Sequence, residues 1–196
     1  MERIEIVDSE KKIARRVMPA AEEPAWHAMS ATYRNETKVR DELEARGVEC
    51  WVPMRYEVVK KGAVKKRVLV PVIRNLIFVH ERRSILLEIK KFIAHLQFKT
   101  MVKDGANVPI VVPVKQMEDF RKVCESYNDK VKVLLPGNIS LSKGTRVRIT
   151  DGEFTGVEGV FIKLDGNRSR SVVIEIPGAS AVISVHVGPE LIEIVE

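Results

Sequence analysis

Five cations crowd the stretch from 60 to 67: Lys60, Lys61, Lys65, Lys66 and Arg67. Such a cluster can neutralise the phosphates of a nucleic acid. The same lysines would equally keep an exposed strand edge from pairing with another chain. A looser group, Arg34, Lys38 and Arg40, lies at or just after the start of a helical pattern. Helix amides there add donors for an anion. Arg34 and its neighbour Asn35 carry the planar side chains that base-edge readout requires, although a solvated charged face is an equally open reading. Nothing in the chain assembles for covalent chemistry. His27, His80, His95 and His186 are isolated, no histidine pair has metal-ligand spacing, and no serine sits in a glycine elbow. Cys50 and Cys124 are far apart and read as reduced thiols. No enzyme activity, metal or cofactor is expected.

A second group of residues could be mistaken for a phosphate loop. Gly144, Gly152, Gly156 and Gly159 punctuate the stretch LSKGTRVRITDGEFTGVEGVFIKL from 141 to 164. Their spacing is not a nucleotide fingerprint, and no lysine-serine pair follows. They read instead as turn and bulge residues between two alternating strands, 146–150 and 160–164. Val147, Ile149 and Val160 supply apolar positions of those strands. Phe154 lies between two of the glycines, either as an exposed contact or folded back over its own sheet.

The elements that must position these groups follow from periodicity. The 196 residues are 45% hydrophobic and 31% charged, with a net charge of +6, enough apolar content for one ordinary domain or two small ones. The positive balance favours nucleic acid or an acidic protein face. No apolar run reaches the ~20 residues of a membrane span, and the first 25 residues are charged without an apolar signal core. A cytoplasmic protein is expected. Residues 1–24 read as a mobile tail, with a short helical stretch near 10–17. Strands are expected at 26–31, 48–53 and 76–80, and helices at 35–46, 84–92 and 114–126. A basic hairpin should have arms 55–59 and 67–72. Gly47 stops the first helix, and Ser84 is placed as the N-cap of the second, with Leu86, Leu87 and Ile89 turned inward. Met117, Phe120, Val123 and Cys124 form the apolar side of the third. The order implies an α+β domain over 25–128, its helices covering one face of a mostly antiparallel sheet. A linker follows at 129–140, with room for a short strand at 131–135. Five short strands over 141–196, separated by turn signals, imply a small five-stranded β-barrel.

The glycine-rich stretch resembles a KOW motif, and the upstream block resembles the domain that KOW modules follow in NusG-type transcription factors. Trp26-His27-Ala28-Met29, then Tyr33-Arg34-Asn35-Glu36-Thr37-Lys38-Val39, is similar to the opening of the NusG N-terminal domain. Val48-Glu49-Cys50-Trp51-Val52-Pro53 is similar to its next strand. Ile73-Arg74-Asn75-Leu76 stands where the family usually has Phe-Pro-Gly-Tyr. That departure resembles the specialised paralogues, RfaH and above all the UpxY-type antiterminators of capsular polysaccharide operons. The resemblance implies a factor that binds the clamp helices of RNA polymerase and suppresses pausing and premature termination. By position, Tyr33, Trp51, Ile73, Asn75, Leu76 and Phe78 would face the polymerase, with Tyr33 and Leu76 as exposed anchors. Trp51 and Phe78 could instead fill the core. Ser84 falls near a polymerase gate-loop contact. Arg34, Asn35, Lys38 and Arg40 would meet the displaced non-template DNA strand, and the basic hairpin would reach upstream DNA or nascent RNA. The KOW barrel would take a ribosomal protein or nascent RNA. The rival readings are a housekeeping NusG and a KOW-type RNA- or ribosome-binding protein.

Overall fold

The computed structural model describes residues 22–62, 64–126, 131–134, 144–163, 170–179 and 181–195. The expected helix near 10–17, most of the tail and linker, and the turn at 165–167 lie outside them.

Apolar residues on both parities of a strand require cover on both faces of its sheet. The segment Leu76–Val79 is such a run, and all four residues are buried. It leads into β5 (Ile77–Glu81), which pairs with β1 (Ala25–Ala31) on one side and β2 (Glu49–Trp51) on the other. β1 also pairs with β6 (Leu96–Phe98) and β9 (Val111–Val112), so the sheet is antiparallel with β1 and β5 central. One face carries Met29, Ala31, Ile77 and Val79. It packs on Val39 and Leu43 of α1 (Glu36–Glu44) and Leu86 of α2 (Arg83–Ile89). The other face carries Trp26, Ala28, Trp51 and Phe78. It packs on Met117, Phe120 and Val123 of α3 (Val114–Glu125). Helices therefore cover both faces, not one.

Three helical details also differ from expectation. α2 stops at Ile89, three residues short of Phe92. Leu87 points to solvent. The N-cap position of α2 is Arg82, with no side-chain cap of its own. The Glu22 carboxylate accepts the amides of Arg83 (3.1 Å) and Ser84 (3.0 Å) in its place. These amides pull the Glu22 pKa down.

Two ribbons project from this layer. β3 (Met54–Lys61) and β4 (Val64–Pro71) form the long basic hairpin, and β7 (Thr100–Lys103) and β8 (Ala106–Pro109) a shorter one. The second sheet has six antiparallel strands rather than five. Its order is β10 (Val131–Leu134), β14 (Ala181–His186), β13 (Arg170–Ile176), β12 (Glu158–Lys163), β11 (Thr145–Ile149) and β15 (Ile192–Ile194). The sixth strand is β10, from the segment read as linker. Among the described residues no ladder joins β10 to β15, so the pairing path stays open.

The two sheets share one core. Val147, Ile149, Phe154, Val157 and Ile174 belong to the same buried cluster as Trp51, Phe78 and Phe120. α3 lies at the junction. Lys115 Nζ donates to Gly156 O (2.8 Å), Gln116 Nε2 to Glu175 O (2.5 Å) and Lys122 Nζ to Thr155 O (2.7 Å). Asp119, itself buried, accepts the Glu158 amide (3.1 Å) and the Lys115 ammonium (2.5 Å). Beside these bonds a cleft of about 460 Å³ remains, lined by Lys115, Asp119, Arg146, Glu158 and Glu175 among others.

Candidate functional site

An L-residue rarely takes a positive φ outside turns, and such residues held in place by their surroundings mark sites worth inspecting. Three of the four non-glycine examples among the described residues converge in one place: Tyr33 (φ 59), Arg34 (φ 60) and Asn75 (φ 56). They sit where β1 turns into α1 and where β4 leads into β5. The Arg34 amide donates to Asn75 Oδ1 (3.1 Å), and the Asn75 amide donates to Glu36 Oε1 (2.6 Å). Glu36 is buried at the start of α1. Asn35 Nδ2 closes the turn by donating to Thr32 O (2.9 Å). Two turns distant in sequence are thus locked together by a carboxylate and an amide side chain.

The lock presents Tyr33 to solvent at 85% exposure. The ring packs against His95, with centroids 5.8 Å apart and planes nearly perpendicular. His95 is held in turn by Thr32, whose Oγ1 lies 3.3 Å from His95 Nδ1 and whose amide donates to His95 O. Arg34 and Lys38 are exposed on the same end of α1. Arg40 is engaged elsewhere, with Asp41 at 2.7 Å and Glu44 at 3.9 Å.

The remaining sequence-derived candidates divide clearly. Leu76, expected as an exposed anchor, has no exposed surface, because the face it shares with Phe78 is roofed by α3. Trp51 and Phe78 stack at 5.7 Å and both meet the Phe120 ring, so they are core residues. Trp51 keeps a polar tie, Nε1 donating to Glu125 (3.0 Å). Ile73 is half-buried beside that core. Ser84 is exposed and donates its amide to Glu22. The site therefore brings together Tyr33, Arg34, Asn35, Lys38 and Asn75. Sequence reasoning missed Glu36 and His95 as members. An acidic residue opening a helix was a usable signal for Glu36, but nothing local ties His95 to a turn 63 positions earlier.

In the hairpin, Lys60, Lys65, Lys66 and Arg67 are exposed. The side chain of Lys61 lies outside what the structure describes. In the second sheet Val147 and Ile149 are buried, and Val160 packs into a small separate cluster with Ile162 and Val173. Phe154 is buried in the shared core rather than exposed on a loop tip. A Cβ on Gly159 would fall 2.6 Å from Val173 O, so this position needs glycine for strand approach. Gly152 and Gly156 turn the loop at φ 87 and 85, while Gly144 lies against Val160 and Ile162. Arg148 pairs with Glu158 (2.8 Å) and Glu193 (3.0 Å), and Arg146 with Glu158 (3.5 Å), so the β11 cations are neutralised.

With this geometry in place, comparison with known proteins is informative. Residues 24–121 match the family model described as transcription termination factor nusG. That match spans half the chain, and the protein belongs to the NusG family of transcription elongation and termination factors, which bind RNA polymerase. A solved structure described as "Domain interaction in Thermotoga maritima NusG" aligns with 90% of this chain and 100% of its own. It does so at 20% sequence identity and a TM-score of 0.45. No curated protein sequence matches the chain. No helix among the described residues is long and apolar enough to cross a membrane.

Proposed function

We propose that this protein is a specialised antitermination factor of the RfaH and UpxY kind, recruited to particular operons such as capsular polysaccharide loci. It rides RNA polymerase through the clamp helices and suppresses pausing and premature termination. The observation that carries the reading is the locked turn. Asn75, which replaces the family's glycine, holds the Arg34 backbone in a left-handed conformation and leaves Tyr33 projecting. The turn sets an exposed aromatic beside two exposed cations, Arg34 and Lys38, which supports a specialised contact. Tyr33 and the half-buried Ile73 form the polymerase contact, and aromatic anchors of this sort dominate interface energies. Arg34, Asn35 and Lys38 meet the displaced non-template strand, with Lys38 and Arg34 on phosphates and Asn35 near a base edge. The second sheet acts as the KOW module and takes a ribosomal protein. The cations of β11, Arg146 and Arg148, are spent on Glu158 and Glu193, which disfavours RNA on that strand.

The test is binding of core RNA polymerase to the full chain and to the Tyr33→Ala, Ile73→Ala double variant. Loss of binding by about tenfold or more is expected for a hot-spot pair. Unchanged binding would remove this turn from the interface. Charge reversal of Arg34 and Lys38 should leave polymerase affinity intact and abolish operon-specific recruitment in an occupancy profile.

A further inference from the structure

A two-stranded ribbon alternates its side chains between two faces. In the outer half of the β3–β4 ribbon both faces are exposed. Val58, Lys60, Lys65 and Arg67 share one face, and Val59, Val64 and Lys66 share the other. No carboxylate accompanies them: Glu57 is tied to Arg55, and the next acidic residue in the chain is Glu81. Lys91 and Lys115 have carboxylate partners, whereas Lys60, Lys65 and Lys66 have none among the described residues. Lys60 and Lys65 stand directly opposite each other across the ladder. Like charges in that position repel and weaken a ribbon, and a bound polyanion relieves the repulsion.

A cluster of cations does not by itself distinguish one polyanion from another; its distribution does. A single strand laid on one face would leave the lysine of the other face unneutralised. Surfaces for single strands also stack bases on aromatic rings, and residues 58–67 include no aromatic. A duplex groove, in contrast, has a phosphate wall on either side. A sheet with side chains on both faces is ~10 Å thick, and the major groove of B-form DNA is ~12 Å wide and admits a two-stranded ribbon. The ladder from Val58↔Arg67 to Lys61↔Val64 runs for ~10 Å, enough to reach the floor of a groove ~8.5 Å deep. Residues 58–67 contain no Asn, Gln, Ser, Thr, Asp or Glu, so most of the groups that read base edges are missing. The valines can meet only thymine methyls there.

We propose that the outer half of this ribbon inserts into the major groove of a DNA duplex, without sequence preference. Lys60 and Lys65 meet the phosphates of one wall and Lys66 those of the other. The ligand class rests on the ribbon alone. Only the placing of that duplex beside a transcribing polymerase rests on the polymerase-binding reading.

The experiment uses the full chain and a fluorescent mixed-sequence DNA duplex, with affinity followed from about 50 to about 200 mM salt. The Lys60→Gln, Lys65→Gln, Lys66→Gln triple variant should lower the slope of log affinity against log salt by about 2.7, three phosphates' worth on B-form DNA. The corresponding triple change to arginine should keep the slope. A duplex whose pyrimidines carry bulky 5-substituents, which fill the major groove, should lose binding. A netropsin-type ligand in the minor groove should not compete. An RNA duplex should bind more weakly, because its major groove is narrow and deep. Circular dichroism confirms that each variant folds. An unmodified protein that binds no duplex would overturn the proposal and leave the lysines as guards of the ribbon edges. An unchanged slope in the glutamine variant, full binding to the groove-filled duplex, or tighter binding to a single strand or an RNA duplex would overturn it too. The measurement needs no polymerase, so its failure leaves the polymerase reading standing, and failure of that reading leaves the measurement untouched.

Discussion

Asn75 does two jobs with one residue: its amide satisfies the buried Glu36 carboxylate and its side chain holds the Arg34 amide. Asparagine tolerates the left-handed backbone that alanine resists. Asn75→Ala should therefore lose the side-chain bond and add backbone strain, costing about 2 kcal/mol in urea unfolding. Asn75→Gly relieves the strain and loses only the bond, so it should cost about half as much. Equal losses would show that backbone conformation is irrelevant at this position. His27 makes a separate prediction. It is buried on β1 beside Phe98, and its Nδ1 has no hydrogen-bond partner among the described residues. Burial pushes its pKa down, and the Glu22 carboxylate opposes this only in part. A histidine whose folded pKa lies below its unfolded value binds protons more readily when unfolded. Its stability contribution is complete above about pH 6.5 and is lost as pH falls toward the lowered folded value. The melting temperature should drop on going from about pH 7.5 to about 5.5, and His27→Leu should flatten that drop. The positive-φ glycines Gly47, Gly152 and Gly156 were legible as turn residues, but none of the non-glycine ones was, since the Arg34 backbone is tied to Asn75, 41 positions away.

The elements were legible to the extent that periodicity governs them. α1 and α3, the hairpin arms and the strands near 26–31 and 76–80 fall within a few residues of their expected bounds. The error about which face the helices cover came from reading Leu76–Val79 only as a central strand. Both parities of that run are apolar, which already demanded helices above and below. Leu76 misled for a related reason: it was judged by the aromatic it replaces rather than by the parity it shares with Phe78. Ser84 misled because the capping group is a carboxylate 62 residues away. α3 carries the strongest element-level prediction. Asp119→Ala leaves the Glu158 amide without its acceptor beneath a helix. A buried donor left unpaired costs about 1–3 kcal/mol, so the loop 150–157 should loosen from α3. Hydrogen exchange at the Glu158 amide should accelerate, while exchange in β1 and β5 stays as it was. Unaltered exchange at Glu158 would mean that the Asp119 bond is dispensable.

At the scale of the molecule, the core does not divide at the boundary between the sheets. Phe120 meets Trp51 and Phe78 on one side, and its cluster continues through Phe154 and Val157 on the other. Cooperative units follow shared buried contacts. Calorimetry of the full chain should show one unfolding transition, and the Asp119→Ala, Phe154→Ala double variant should show two. Two transitions in the unmodified protein would mean that the junction contributes little. The bonds at that junction have a further consequence. In all four, a side chain of α3 meets main chain of the second sheet: Gly156 O, Glu175 O, Thr155 O and the Glu158 amide. Main-chain groups are identical whatever residue bears them. Polar side chains on the loop can therefore drift through mutation without cost to docking, whereas Lys115, Gln116, Asp119 and Lys122 cannot. A saturation scan of the junction's polar positions would come out lopsided, intolerant on the helix and permissive across from it. The second sheet is in this sense an interchangeable cartridge: a foreign sheet of the same backbone shape would seat on α3 provided it kept apolar residues at the positions of Phe154, Val157 and Ile174.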